Sequence, residues 1–215
     1  MSKQIALIGA APGFERAPWS DPTWEIWALN QSYNVLEPAQ LGCVTRWFEL
    51  HADTALTQQR RPANHWLNLA ALGIPVYSFA RLPQIENQVL YPLEAIEQAM
   101  PRIYFACTFS YQIALALFEG ATAISLYGTP LIANREALVE RPCVEWWLGY
   151  AQGKGVTVSV EHDEHEGLLR HEGRYAKEDQ QERVTTFNYG WRHYHQMMDW
   201  LMNEVKRLNL TDVEP

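Results

Sequence analysis

The stretch IALIGAAPGF, residues 5–14, decides how this chain is interpreted. Four apolar residues of strand character, 5–8, stop abruptly at a run of small residues and one proline: Gly9, Ala10, Ala11, Pro12 and Gly13. A plain strand-end turn explains such a run. A loop kept small so that a phosphate or sugar can approach its backbone N–H groups explains it equally well. The segment fits neither a GxGxxG fingerprint nor a Walker A motif, so the rest of the chain must decide.

Strand-like and helix-like segments alternate along the rest of the chain. We expect strands at 4–8, 25–29, 44–50, 75–79, 123–127 and 156–160. We expect helices at 55–72, 93–100, 110–118, 136–152 and 185–208. This alternation is typical of βαβ units, so it predicts an α/β, Rossmann-like fold with a mostly parallel sheet and helices on both faces.

Composition narrows the class of protein. The 215 residues are 47% hydrophobic and 20% charged, which is typical of a globular chain. A formal net charge of −8 makes strong duplex DNA binding unlikely, since such binding neutralises phosphates with Lys and Arg. The three cysteines are far apart and form no metal-binding spacing, and no signal-peptide pattern or membrane-length apolar run is seen. We therefore expect a cytoplasmic protein without a membrane association.

Ligands of open parallel sheets bind beyond the carboxyl ends of the strands, near the point where strand order reverses. Small, amide and hydroxyl residues follow the expected strands at this edge. The predicted ligand-binding residues are Gly9, Ala10, Ala11, Pro12, Gly13, Asn30, Gln31, Thr108, Ser110, Gly128, Thr129 and Pro130. Turn formation explains Asn30 and Gln31 as well, and helix capping explains Thr108 and Ser110 as well.

Two candidate catalytic residues lie in RWFELH, residues 46–51. Glu49 and His51 are two residues apart, so they share one side of an extended chain, and either is suited to act as a general base. A strand-end ion pair is the structural alternative. Arg141 is a candidate for neutralising a diphosphate, and a helical salt bridge to Glu145 at i+4 is its alternative.

These landmarks together resemble the bacterial sialyltransferases that modify lipo-oligosaccharides and the related MptE-like hydroxymethylpterin diphosphokinase superfamily, which also has small phage members. The family's first loop is similar to IGAAPGF, and its Asn-Gln pair is similar to the one in LNQSY. The family also has a Thr/Ser-rich turn, an apolar helix and a strand that ends in Gly, which are similar to CTFSYQIALALFEGATAISLYGTPL. The resemblance spans roughly residues 4–132. It implies a nucleotide site at this edge, which holds CMP in the sialyltransferases and a nucleoside triphosphate in the diphosphokinases.

The chain also departs from the family pattern. Ala10 and Ala11 stand where the family has an Asn, and Pro130 stands where it has an Asp. The stretch IANREALVERPCVEWW, residues 132–147, has no histidine, although the sialyltransferases carry their catalytic histidine in this region. The resemblance therefore carries over nucleotide binding better than catalysis, and the base must come from Glu49, His51 or the His-rich segment after residue 160.

The resemblance implies a nucleotide-sugar-dependent glycosyltransferase with a nucleotide or nucleotide-sugar as ligand and an unknown acceptor. No DxD-type metal pair stands in an obvious place, so we expect transfer without a metal and without a tightly bound cofactor. One alternative is a Mg²⁺-dependent pyrophosphate transferase using Glu49 and Asp53, and another is a non-catalytic nucleotide-sequestering or sensing protein. A phage-encoded member would work in the host cytoplasm.

We expect residues 1–160 to form the Rossmann-like nucleotide-binding core. Residues 161–182 are a charged excursion or a lid, and their histidines raise a metal site as a lesser alternative. Residues 183–215 hold a C-terminal helix that packs on the same domain. Its aromatic and methionine residues suit a core face, and they leave a homo-oligomer open.

Overall fold

The computed structural model describes residues 2–51, 61–132 and 136–161, together with residues 168, 169, 198, 199 and 203. These residues contain one parallel sheet whose strands are β1 (Gln4–Ile8), β2 (Trp24–Leu29), β3 (Val44–Phe48), β4 (Val76–Ser78), β5 (Gln88–Leu90), β6 (Ala123–Tyr127) and β7 (Thr157–Glu161). The α-helices in the same residues are α1 (Pro38–Leu41), α2 (His65–Ala71), α3 (Leu93–Ala99), α4 (Thr108–Phe118) and α5 (Arg141–Gly153). Short 3₁₀ turns lie at Phe14–Arg16 and Ser32–Asn34, and a π-helical turn lies at Glu136–Glu140.

The strand order is β5-β4-β3-β2-β1-β6-β7, and every neighbouring pair is parallel. The chain builds the sheet outward from β1 to β5, then crosses back to place β6 on the other side of β1. Strand order therefore reverses between β1 and β6, which is where open α/β sheets form their ligand crevices. The predicted α/β, Rossmann-like architecture is confirmed.

Both faces of the sheet are buried, as a parallel sheet requires. Along β1, Ile5 and Leu7 pack into the core beneath α4 and α5. Ala6 and Ile8 point the other way, into the core that contains Leu69 of α2. In the part of the chain that the structure describes, no helix is long and apolar enough to span a bilayer.

The observed boundaries differ from the predicted ones at several places. The edge strand β5 was not predicted, because three residues carry too little apolar pattern to identify a strand. The helix predicted at 55–72 begins only at His65 in the described residues, and residues 52–60 lie outside them. The strand predicted at 44–50 ends at Phe48, so Glu49 and His51 belong to the segment that follows β3.

The helix predicted at 136–152 is interrupted. It begins as the π-helical turn and becomes α-helical only at Arg141. Pro142 is the reason, because it has no amide hydrogen to donate to the preceding turn and is tolerated best at the start of a helix. The segment predicted at 161–182 and the helix predicted at 185–208 lie outside the described residues except for isolated positions.

Candidate functional site

A cavity of about 450 Å³ opens at the carboxyl edge of the sheet, between the ends of β2, β3 and β4 and the start of α4. Polar and apolar surfaces line it in about equal parts, and its apolar and aromatic residues are Leu29, Leu50, Phe79, Phe105, Ala106, Phe109, Tyr111 and Leu131. Its ionisable and amide groups are Asn30, His51, Cys107, Glu136 and Glu140. Aromatic walls with a few polar groups are typical of small-molecule sites.

Glu49 lies directly behind this cavity and is fully buried. Its Oε1 accepts hydrogen bonds from Arg61 Nη2 at 2.9 Å and from His51 Nδ1 at 2.8 Å, and its Oε2 lies 2.9 Å from His65 Nε2. Burial by itself raises the pKa of Glu49, but the bonds from His51 and His65 and the charge of Arg61 outweigh it and lower the pKa to about 2. Glu49 is therefore ionised at neutral pH.

This ionisation decides between the two candidate bases. A carboxylate with a pKa near 2 that already accepts three side-chain hydrogen bonds and one from the His51 amide is a poor proton acceptor. His51, in contrast, is half exposed and forms part of the cavity wall. Of the two residues, only His51 lines the cavity, and Glu49 contacts its Nδ1.

Two neighbours of His51 Nδ1 have opposite effects on whether this nitrogen carries the proton of the neutral ring. Glu49 Oε1 lies 2.8 Å away and favours a proton on Nδ1, whereas Arg61 Nη2 lies 2.7 Å away and favours a lone pair there. A lone pair on Nδ1 would be repelled by the negative charge of Glu49 at this distance. Arg61 does not need that lone pair, because it also donates to Glu49 Oε1. Charge therefore favours the Nδ1–H tautomer, which leaves the Nε2 lone pair to act as a base.

The glycine loops after β1 and β6 are packed against each other. A Cβ added at Gly9 would lie 2.1 Å from the carbonyl oxygen of Gly128, and a Cβ at Gly128 would lie 2.4 Å from that of Ala11. The Ala11 amide also donates to Gly128 O at 3.2 Å. Both glycines are therefore required by the contact between the loops, whether or not a ligand binds.

The first loop also uses its own amides. Gly9 N donates to Tyr127 O at 2.8 Å, and Gly13 N donates to the carboxylate of Glu15 at 2.9 Å. A phosphate cradle needs such N–H groups to be free. None of the residues 9–13, nor Gly128, Thr129 or Pro130, is among those that form the wall of the cavity. The packing against the neighbouring loop explains Gly9 and Gly128, and ligand binding by residues 9–13 stays a prediction.

Asn30 is the amide that does line the cavity. Its backbone is left-handed, with φ 51°, a conformation that Asn tolerates better than most residues. Its Oδ1 is buried and has no hydrogen-bond partner among the described residues. A buried acceptor without a partner costs stability, so this atom is suited to receive a donor from a bound molecule. Gln31, its neighbour, does not line the cavity.

The start of α4 serves two purposes. Thr108 lines the cavity, whereas Ser110 is fully buried and takes part in capping the helix. Its hydroxyl oxygen accepts from the Cys107 amide at 3.4 Å, and the Cys107 side chain accepts from the Ser110 amide. Burial raises the pKa of the Cys107 thiol to about 12, so this cavity residue is a neutral thiol and not a nucleophile at neutral pH.

Arg141 forms the helical ion pair that was its alternative interpretation. Its Nε donates to Glu145 Oε1 at 2.9 Å, one turn later on α5. Arg141 does not line the cavity. Among the described residues, no group of three or more His, Cys, Asp or Glu side chains is arranged to hold a metal ion.

Comparison with known proteins finds no matching family model, curated protein or solved structure. The resemblance described above therefore stays a prediction from the motifs. The site itself rests on the geometry of this chain alone.

Sequence reasoning missed three residues of the site, Tyr33, Arg61 and His65. Arg61 comes directly after residues 52–60, which lie outside the described ranges. His65 lies at the start of α2, 16 residues after Glu49. A buried carboxylate needs cationic or hydrogen-bonding neighbours, so Glu49 after a buried strand signals that such partners exist. Nothing in the spacing signals which residues they are.

Proposed function

We propose that this chain is a glycosyltransferase-like enzyme that uses a nucleotide-sugar donor and activates the hydroxyl of an acceptor with His51. The observation that carries the proposal is His51 itself, half exposed in the cavity wall with Nδ1 held 2.8 Å from the buried Glu49 carboxylate. A histidine oriented by a carboxylate through one ring nitrogen is the usual arrangement of a general base.

The proposed reaction needs no metal. His51 Nε2 takes the proton of the acceptor hydroxyl while the hydroxyl oxygen forms a bond to the anomeric carbon of the donor. The bond between that carbon and the phosphate oxygen breaks, and the leaving nucleotide keeps the electron pair. The first turn of α4 lies at this region, where Thr108 lines the cavity, and a helix N-terminus favours negative charge.

The cavity wall supports a ligand that contains a planar ring. Phe79, Phe105 and Tyr111 form a connected aromatic group in which Phe105 stacks on Tyr111 at a centroid distance of 4.2 Å. Phe105 also stacks on Trp147, whereas Phe79 makes only edge contacts and is exposed, so Phe79 is the ring that offers a flat surface to a nucleobase. Asn30 Oδ1, the buried acceptor without a partner, is suited to an N–H group on the base edge.

The two alternative functions, a pyrophosphate transferase and a sequestering protein, make different demands on this site. A Mg²⁺-dependent pyrophosphate transferase would need Glu49 as a metal ligand, and the oxygens of Glu49 are engaged by Arg61, His51 and His65. Its proposed partner Asp53 lies outside the described residues. A nucleotide-sequestering protein is favoured by two departures from the family pattern, the absence of a histidine in residues 132–147 and Pro130 in place of an Asp.

A thermal-shift panel tests the proposal first. The panel contains CMP, UDP, GDP, ADP and their common sugar conjugates, each with and without Mg²⁺. A ligand at 100 times its Kd adds about 2.7 kcal/mol, which raises Tm by about 5–10 °C for a chain of this size. No shift with any compound would contradict nucleotide binding.

Turnover of the binding nucleotide-sugar is then compared in wild-type and His51→Asn protein. Loss of a general base lowers kcat by a factor of roughly 10²–10⁴. His51 is half exposed, so the variant keeps its fold and its ligand-induced shift. Tight binding with no turnover in the wild type would favour the sequestering protein, and turnover that requires Mg²⁺ would favour the pyrophosphate transferase.

A further inference from the structure

We propose that His65 and Tyr33 are positioning residues, which fix the orientation of Glu49 and thereby the tautomer of His51. This inference rests on the assignment of His51 as the base in the proposed function. Neither His65 nor Tyr33 lines the cavity, so each acts on a bound molecule only through Glu49 and His51.

The argument begins with an unbroken chain of hydrogen bonds. Tyr33 Oη lies 2.7 Å from His65 Nδ1, His65 Nε2 lies 2.9 Å from Glu49 Oε2, and Glu49 Oε1 lies 2.8 Å from His51 Nδ1. The chain runs from a short 3₁₀ turn after β2, through the first residue of α2, to the segment after β3. Three elements that are separate in sequence thus meet at one carboxylate.

The direction of each hydrogen bond follows from the charge of Glu49. An ionised carboxylate only accepts, so His65 presents an N–H to it, and charge favours an N–H on His51 Nδ1 over a lone pair that would accept from Arg61. Neutral His65 then carries its proton on Nε2, and its Nδ1 lone pair accepts from the Tyr33 hydroxyl. Neutral His51 carries its proton on Nδ1, and its Nε2 lone pair remains available. One assignment of protons satisfies every member of the chain.

Simple packing does not account for this arrangement. His65 is 1% exposed and Glu49 is 0% exposed, and burying such polar groups costs free energy that an apolar pair would avoid. Tyr33 additionally packs on His65 with ring centroids 5.7 Å apart, and on Trp47 at 6.1 Å. The aromatic packing limits rotation of the His65 ring, so Glu49 has little freedom to turn its Oε1 away from His51.

The groups that face His51 are few in the described part of the chain. Glu49 and Arg61 contact its Nδ1, and Cys107, Glu136 and Glu140 share the cavity wall with it. Arg61 also donates to Glu49 and is mostly buried, with 13% of its side chain exposed. Its charge balances that of Glu49, so His51 does not need to be protonated to keep the cluster neutral.

Nitrogen-15 NMR of the full-length protein tests this inference without any ligand. Long-range ¹⁵N–¹H spectra distinguish a protonated ring nitrogen from one with a lone pair. At a pH above the titration of both histidines, we expect His51 to show Nδ1–H and His65 to show Nε2–H. A wild-type His51 with its proton on Nε2 would overturn the proposal, because Arg61 would then control the tautomer.

Three variants separate positioning from structure. His65→Gln keeps both hydrogen bonds, since its amide N–H donates to Glu49 and its carbonyl accepts from Tyr33. His65→Leu removes both bonds, and Tyr33→Phe removes one bond while leaving the fold intact. We expect His51 to stay in the Nδ1–H form in His65→Gln. In His65→Leu and Tyr33→Phe we expect a mixture of the Nδ1–H and Nε2–H forms of His51.

Turnover provides the second measurement. We expect Tyr33→Phe to lower kcat about tenfold with unchanged KM, and His65→Gln to stay within about twofold of wild type. Unchanged His51 tautomer signals in folded Tyr33→Phe and His65→Leu would overturn the positioning role. The protein could show the expected tautomers and still turn over no nucleotide-sugar. That result would contradict only the proposed function and would support the positioning role of His65 and Tyr33.

Discussion

Gly9 and Gly128 hold the loops of two neighbouring strands together, because a Cβ on Gly9 would lie 2.1 Å from the carbonyl oxygen of Gly128. β1 and β6 are hydrogen-bonded along their whole length up to these glycines, so neither loop can move away to make room. The contact is a structural requirement at the point where strand order reverses.

Gly9→Ala should therefore lower the free energy of unfolding by at least about 2 kcal/mol, as expected for a steric overlap with backbone. Gly149→Ala is the matched control, because a Cβ there has nothing within 4 Å and the residue lies inside α5. This control should gain about 1 kcal/mol from helix propensity. Urea unfolding measures both, and equal effects of the two changes would contradict the packing argument.

Glu49 should give the protein a recognisable acid sensitivity. Its pKa is about 2 in the folded chain and near the ordinary 4.5 in the unfolded chain, so its contribution is full above pH 4.5 and is lost as pH falls toward 2. The difference corresponds to about 3 kcal/mol.

Glu49→Gln removes this contribution. We expect the variant to unfold more easily in urea at pH 7, and its free energy of unfolding to vary less between pH 5 and pH 2 than that of the wild type. Parallel pH profiles of the two proteins would show that Glu49 has an ordinary pKa in the folded state.

Arg141 should behave as a helix-surface residue. Its bond to Glu145 is an i,i+4 pair with both side chains partly exposed, and such pairs contribute about 0.3–0.5 kcal/mol. Arg141→Ala should cost no more than about this amount and should leave nucleotide affinity unchanged. Calorimetric titration of the nucleotide found in the thermal-shift panel measures the affinity, and a tenfold loss would restore Arg141 as a phosphate ligand.

Cys107 should be nearly inert toward alkylation. With a pKa of about 12, its thiolate fraction at pH 8 is on the order of 10⁻⁴, against roughly a quarter for free cysteine. Mass spectrometry after iodoacetamide treatment should therefore show Cys107 reacting about 10³-fold more slowly than free cysteine. The same peptide from protein unfolded in guanidinium is the control, and fast reaction in the folded state would contradict the burial of this thiol.

The fold was largely predictable because its signal is strong and local. The apolar runs of β1 and β6 are bounded by glycines, and their predicted limits agree with the structure at both ends. The three-residue β5 was missed because so short a segment has no periodicity, and its place in the sheet depends on pairing with β4.

The sequence places the candidate site at the carboxyl edge of the sheet, and three of its predicted residues, Asn30, His51 and Thr108, line a cavity there. It did not reveal that Gly9 faces another loop, since a glycine required by protein backbone and one required by a ligand look the same in a sequence. It did not reveal His65 either, because contacts between side chains on separate elements follow from tertiary packing.

The central place of β1 has a consequence for synthesis of the chain on the ribosome. β1 finishes at Ile8, yet its partner on one side, β6, begins only at Ala123. At a translation rate of about 5–20 residues per second, one edge of the most buried strand waits roughly 6–23 s for its neighbour. During that interval the nascent chain exposes the unpaired backbone N–H and C=O groups of this edge, which are open to pairing with another chain.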